Sequence, residues 1–166
     1  MKARRVDLSE IQPLAREITE SVIWCTVTTV SPSGEPRSRL MHPVWFWEDG
    51  EPYGLVTARR TPVKVAHLDH NDAVACFYWS PAHHTAEVDA TAGWLDEHQR
   101  EAAWEAIAAV EPPVGFDPAV IWPDGPHSDD CGFLRFDARR IVATRAAETP
   151  LLWTAPPPAE SSGERP

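Results

Sequence analysis

Short segments rich in β-branched and aromatic residues alternate along this chain with clusters of proline, glycine and small polar residues. Most of the 17 prolines fall between these segments, as in the cluster 31–36, where they act as breaks. Turn-forming clusters at such short intervals disfavour long helices and favour short strands joined by hairpins. The pattern predicts six strands, at 22–30, 37–47, 53–58, 73–79, 86–95 and 132–144.

Three stretches carry helical signals instead. Apolar residues recur at three- and four-residue steps over 8–20, which predicts an amphipathic helix. A Thr-Pro pair at 61–62 suits the cap and first position of a short helix that ends near Asn71. Asp96 followed by Gln99 resembles a capping box for a further helix. Strands dominate, so we predict a mainly β fold: a small antiparallel β-barrel with flanking helices.

Length and composition limit the number of domains, the binding partners and the location that can be expected. The 166 residues fit a single domain, predicted over 1–154, and the Pro-, Ala-, Ser- and Glu-rich stretch 155–166 is predicted to be a disordered tail. A formal net charge of −10 argues against nucleic acid and anionic membranes as partners. No apolar run approaches the ~20 residues that span a bilayer, and residues 1–20 do not resemble a signal peptide, so a cytoplasmic location is expected. The three scattered cysteines are predicted to be reduced, buried thiols: Cys25, Cys76 and Cys131.

A cluster of cations around one predicted helix start is the most informative chemical feature. Segment 57–64 joins a strand end, two adjacent arginines, a helix cap and Lys64 in the first turn. Cations there oppose the helix dipole unless an anion sits among them. Arg37 and Arg39 alternate on a strand, so both can face one side. These spacings fit a phosphate site, and solvent-facing arginines without a ligand are the open alternative.

The histidines do not predict a metal site. His67 and His70 lie three apart on a helix, and His83 and His84 are adjacent in a loop, with no third ligand evident. Either His84 or His42 can be read as a proton donor facing a substrate, or simply as a solvent-facing histidine.

Several segments together resemble the pyridoxamine 5'-phosphate oxidase-like superfamily of FMN-binding split barrels. The pattern begins with Gly-x-Pro-Arg-x-Arg within 34–45, continues through 54–57, and ends with the Lys, Leu and Asn of 64–71. The stretch 116–123 looks like that of small bacterial members. The resemblance covers about residues 10–145.

The resemblance implies a six-stranded antiparallel split barrel that binds FMN. It also implies an oxidoreductase that passes hydride through the flavin to an unidentified small molecule, and a homodimer with the cofactor between its subunits. The apolar run 73–79 with Trp79 agrees with such a dimer. Family contacts to the flavin phosphate match Arg39, Thr57 and Lys64, and the strand along the flavin ring matches 40–42. The predicted cofactor-binding residues are therefore Arg39, Leu40, Met41, His42, Thr57, Ala58, Arg60, Thr61 and Lys64. No catalytic side chain is predicted.

Two departures argue against a vitamin B6 oxidase. The Arg-x-His substrate motif of that enzyme is missing from the last segment, and Val44 stands where the family has a lysine beside the flavin. Two alternatives to an FMN oxidoreductase stay open. One is a reductase using a deazaflavin coenzyme, whose acidic tail would suit Arg37, Arg59 and Arg60. The other is a non-catalytic flavin-binding stress protein.

Overall fold

The computed structural model describes residues 2–47 and 50–157. Within these ranges the chain forms three α-helices: α1 (Leu8–Val22), α2 (Pro62–His70) and α3 (Glu97–Ala109). The same ranges contain nine strands: β1 (Arg4–Arg5), β2 (Cys25–Val30), β3 (Pro36–Met41), β4 (Val44–Phe46), β5 (Tyr53–Thr57), β6 (Ala73–Trp79), β7 (Thr85–Trp94), β8 (Phe133–Thr144) and β9 (Leu151–Thr154). A 3-10 turn, Pro118–Val120, lies in the connection from α3 to β8.

All nine strands belong to one hydrogen-bonded sheet. Its order is β1-β9-β8-β7-β6-β2-β3, and β5 joins β4 to the other side of β8. Every pair is antiparallel except β1 with β9. Over the described residues β3 and β4 do not pair, so the sheet is not closed. Pro43 stands between these two strands and lacks the N–H that would continue a ladder.

The core lies between α1 and the inner face of this sheet. Strand β7 buries every second side chain from Ala86 to Ala92, as the period of a half-buried strand requires. Helix α1 covers that face with Ile11, Ala15 and Ile18, which have almost no exposed surface. A second, smaller apolar cluster forms where α3 packs near β4, β5 and β8.

Most of the predicted elements are confirmed. The fold is mainly β with flanking helices, β6 has its predicted bounds, and α2 begins after the predicted cap Thr61. The capping box at Asp96 and Gln99 is present, with both reciprocal hydrogen bonds formed. The three cysteines are buried and free, as predicted.

Three expectations needed correction. Residues 22–24 are not strand, because α1 continues to Val22 and Ile23 ends it with a φ of 66°. The predicted strand 37–47 is two strands, divided at Pro43. Residues 151–154 form β9, which pairs with β1, so the strand number exceeds six. The predicted disordered tail falls largely on 158–166, which lie outside the described residues.

Candidate functional site

A cavity of about 390 Å³ opens where β3, the end of β5 and the first turn of α2 meet. Six of the nine predicted cofactor-binding residues line it: Leu40, Met41, His42, Thr57, Ala58 and Lys64. Five further residues complete the wall: Trp24, Phe116, Asp117, Val120 and Ile121. Strand β3 and the 3-10 turn therefore face each other across one space, and most of its wall is apolar.

Lys64 lines this cavity, and Arg39 lies close enough to influence its charge, although Arg39 does not line the cavity itself. Lys64 is half-buried in the first turn of α2, and burial lowers the pKa of its ammonium, with the nearby charge of Arg39 lowering that pKa further. Arg39 donates from Nη1 to Thr29 Oγ1 at 3.0 Å and to the carbonyl of Arg37 at 3.4 Å. Within the described ranges, no carboxylate pairs with either cation. Such a pair is unfavourable alone and is stabilised by a bound anion.

The start of α2 adds partial positive charge at the same place. Thr61 Oγ1 accepts from the backbone N–H of Lys64 at 3.4 Å, and no acid lies in the first turn. The free N–H groups of a helix start favour an anion. Thr61 is exposed and does not line the cavity.

The other arginines of this region lie elsewhere. Arg59 binds Asp130 at 2.8 Å and lies over Trp122, while Arg60 lies over the ring of Trp94 at 5.1 Å. Neither lines the cavity, so the predicted site residue Arg60 lies outside its wall. Arg37 is exposed and pairs with Glu35.

His42 is held by the segment that follows α3. Its Nε2 lies 2.7 Å from the carbonyl oxygen of Val114, and because a carbonyl only accepts, Nε2 carries the hydrogen and donates. The ring lies between Trp24 and Phe116, with centroids 5.5 and 4.9 Å away. Burial lowers the pKa of His42 and outweighs the opposing effect of the Val114 bond. The single N–H of neutral His42 is thus committed to Val114 and is not free for a substrate.

His84, the other histidine considered as a proton donor, lies away from the cavity. Its Nδ1 accepts from the backbone N–H of Ala146 at 3.1 Å. No group of three or more His, Cys, Asp or Glu side chains within 2–47 and 50–157 is placed to hold a metal ion. Over the same ranges, no helix is both long and apolar enough to cross a membrane.

Sequence reasoning did not assign several residues that the fold brings to the site. The positive φ of Ile23 turns the chain so that Trp24 lies at the cavity. A 3-10 turn capped by Asp117 places Val120 there. Thr29 and His67 are buried directly behind Arg39. The Asp-Pro pair at 117–118 was the one local signal for the turn; the remaining contacts join distant parts of the chain.

Comparison with known proteins agrees with this geometry. The family model for pyridoxamine 5'-phosphate oxidase matches residues 11–145. That range includes β3, β5, α2 and the 3-10 turn, which are the elements that build the cavity. A search of curated proteins found no match.

Solved structures share the fold at low sequence identity. A protein from Clostridium acetobutylicum related to general stress protein 26 is 17% identical, with a TM-score of 0.71 over 90% of this chain and 96% of that one. A pyridoxamine 5'-phosphate oxidase-related, FMN-binding protein from Nostoc punctiforme is 13% identical, with a TM-score of 0.60 over 88% and 86%. A heme-binding protein from Mycobacterium smegmatis is 15% identical, with a TM-score of 0.65 over 92% and 60%. These similarities confirm the split-barrel type of fold.

Proposed function

The chain belongs to the pyridoxamine 5'-phosphate oxidase family, and from that membership and its cavity we propose that it is an FMN-binding oxidoreductase. The observation that carries the proposal is the apolar cavity lined by Lys64, with Arg39 nearby and no acidic partner for either cation in the described residues. In the proposed complex these two side chains hold the flavin phosphate. The backbone from Leu40 to His42 lies along the ring.

The shape and chemistry of the cavity suit such a ligand. Its volume lies within the range of about 300–1,000 Å³ that is usual for small-molecule sites. FMN has a flat, largely apolar ring at one end and a phosphate dianion at the other. The aromatic side chains of Trp24 and Phe116 line the cavity together with the cation Lys64. An uncharged aromatic ligand would leave the Arg39 and Lys64 pair without a counter-ion.

The protein's own contribution is binding, orientation and exclusion of water. FMN supplies hydride transfer when bound, so few reactive side chains are required. His42 donates to Val114, and the carboxylate of Asp117 accepts from the backbone N–H of Ala119. Both polar groups are used to hold the walls in place, and we assign neither a catalytic role. The proposed substrate is a small molecule that reaches the exposed side of the ring.

We also propose a homodimer with the cofactor site at the subunit interface. Leu40, 72% exposed, lies opposite Thr26, which in turn lies opposite the 46% exposed Phe77. This row crosses the outer face of β3, β2 and β6. Leu40 also lines the cavity, so the row is continuous with the cavity rim. A second copy seated on the row would bury the exposed apolar surface and close the cavity over the ring.

The absorption spectrum of the freshly purified protein tests the cofactor. We expect flavin bands, and reverse-phase chromatography of the released chromophore should identify FMN. A deazaflavin spectrum would instead identify the cofactor as a deazaflavin coenzyme. No retained chromophore, together with no binding when FMN is added to the purified protein, would contradict the proposal.

Turnover with reduced nicotinamide tests the enzymatic part separately. An oxidoreductase should bleach the flavin bands under nitrogen and consume the nicotinamide when an electron acceptor is added. A protein that binds FMN and leaves it oxidised under these conditions would instead be a non-catalytic flavin-binding protein.

A further inference from the structure

A chain of three polar side chains connects the candidate phosphate site to the protein interior. Arg39 Nη1 donates to Thr29 Oγ1 at 3.0 Å, and the same oxygen lies 2.9 Å from His67 Nδ1. Thr29 and His67 are almost fully buried, with 3% and 5% of their surfaces exposed. The three residues come from β3, β2 and α2, so the contact joins three elements.

The hydroxyl of Thr29 is suited to the centre of this chain. It accepts the hydrogen of Arg39 with one lone pair and still has a hydrogen and a second lone pair for His67 Nδ1. A buried pair of this kind is satisfied, but an apolar pair of the same shape would stabilise the fold about as well. Folding alone therefore does not call for a hydroxyl and an imidazole at this place.

The same contact also links the two elements that carry the cations, β3 with Arg39 and α2 with Lys64. His67 follows Lys64 by three residues on α2, so both side chains lie on one face of that helix. That face packs on β2, where Thr29 lies. Holding His67 on Thr29 thus fixes Lys64 relative to Arg39. A free arginine side chain has many rotamers, and one guanidinium N–H held by Thr29 limits them before a ligand arrives.

We propose that Thr29 and His67 are positioning residues that orient Arg39 and thereby set the preference of this site for a phosphorylated flavin over the same flavin without phosphate. The inference rests on the proposed function, since it takes the anion held by Arg39 to be the FMN phosphate. Neither side chain touches the cofactor; both act through Arg39 and α2.

Matched substitutions at Thr29 provide the test. Thr29→Val keeps the side-chain shape and removes the hydroxyl, whereas Thr29→Ser keeps the hydroxyl. Fluorescence titrations measure the dissociation constants of FMN and of riboflavin for the wild type, both variants, Arg39→Ala and the double variant Thr29→Val with Arg39→Ala. Thermal unfolding of each protein without ligand is the folding control.

The expected result is a loss that concerns FMN alone. Thr29→Val should weaken FMN about tenfold, because binding must then order the Arg39 side chain that Thr29 no longer restrains, and leave riboflavin unchanged. Thr29→Ser should retain most of the FMN affinity. In the Arg39→Ala background, Thr29→Val should have no further effect, because its role is exerted through that arginine.

Substitutions at His67 provide a second test of the inference that does not change strand β2. His67→Asn places an amide oxygen near the position of Nδ1 and should keep the FMN preference, while His67→Leu should reduce it. These variants keep the inference testable if Thr29→Val does not fold.

Two results would overturn the inference, and they differ in meaning. If Thr29→Val weakens FMN and riboflavin equally, or adds its full effect to Arg39→Ala, then Thr29 is a packing residue. If Arg39→Ala itself leaves the ratio of the two affinities unchanged, then the anion is not held by Arg39, and the phosphate assignment falls together with the inference.

Discussion

Replacing Lys64 by alanine should have opposite consequences for the free and the FMN-loaded protein. In the free protein, burial and the charge of Arg39 both lower the pKa of Lys64, so its charged form is disfavoured by folding. The charge therefore opposes folding at neutral pH, and its removal should not lower the free energy of unfolding beyond the small loss of side-chain packing. In the loaded protein, the same substitution removes a charged hydrogen bond to the phosphate.

The size of the loss follows from the charged contact. One hydrogen bond to a charged group contributes about 1.5–3 kcal/mol, so the FMN affinity should fall about ten- to a hundredfold. With FMN at about a hundred times the wild-type dissociation constant, the ligand stabilises the wild type by about 2.7 kcal/mol. For a variant that binds thirtyfold more weakly, the same relation leaves about 0.9 kcal/mol.

Two measurements check this prediction. Fluorescence titrations with FMN and riboflavin give the affinities, and thermal unfolding with and without FMN gives the stabilities. Arg37→Ala is the matched control, because Arg37 is an exposed cation that already pairs with Glu35. Equal weakening of FMN and riboflavin, or a free Lys64→Ala protein much less stable than the wild type, would refute the reasoning.

Three further predictions concern the site and its surroundings. Arg39→Ala should lose FMN and Arg37→Ala should retain it, judged by the flavin-to-protein absorbance ratio after gel filtration; equal retention would show that Arg39 is not the phosphate contact. Sedimentation at micromolar concentration should give twice 18.5 kDa for the wild type and a monomer for Phe77→Glu, and a wild-type monomer that holds FMN would contradict the shared site. His42 has a pKa lowered from 6.5 by burial, so the unfolded chain takes up the proton first, and the free energy of unfolding should fall as the pH drops below 6.5. His42→Gln should flatten that slope in urea titrations between about pH 7 and pH 5, and an unchanged slope would assign it to other groups.

Local signals predicted most of the fold. The apolar run of β6 and the reciprocal cap of α3 are properties of adjacent residues, and both are confirmed. Strand β1 could not be predicted in this way, because Arg4–Arg5 has no strand pattern of its own. It is a strand only because β9 offers it a parallel edge from the far end of the chain.

The candidate site likewise combines features that local sequence predicts with contacts that it does not predict. The alternation of Arg37 and Arg39 and the cap before Lys64 are local signals, and of these residues Lys64 lines the cavity. Two adjacent arginines in a loop carry no information about which will face a ligand, and here Arg60 stacks on Trp94 instead. The bond from His42 to Val114 joins residues 72 positions apart, so only the folded chain brings them together.

The most direct test of the central claim is the affinity of the wild-type protein for FMN compared with riboflavin, since these ligands differ only in the phosphate. Two cations and a helix start aimed at that phosphate predict FMN binding at least about tenfold tighter, with a preference that shrinks as salt is added. Equal affinities at low salt, or riboflavin bound more tightly, would contradict the assignment of Arg39 and Lys64 as the phosphate site.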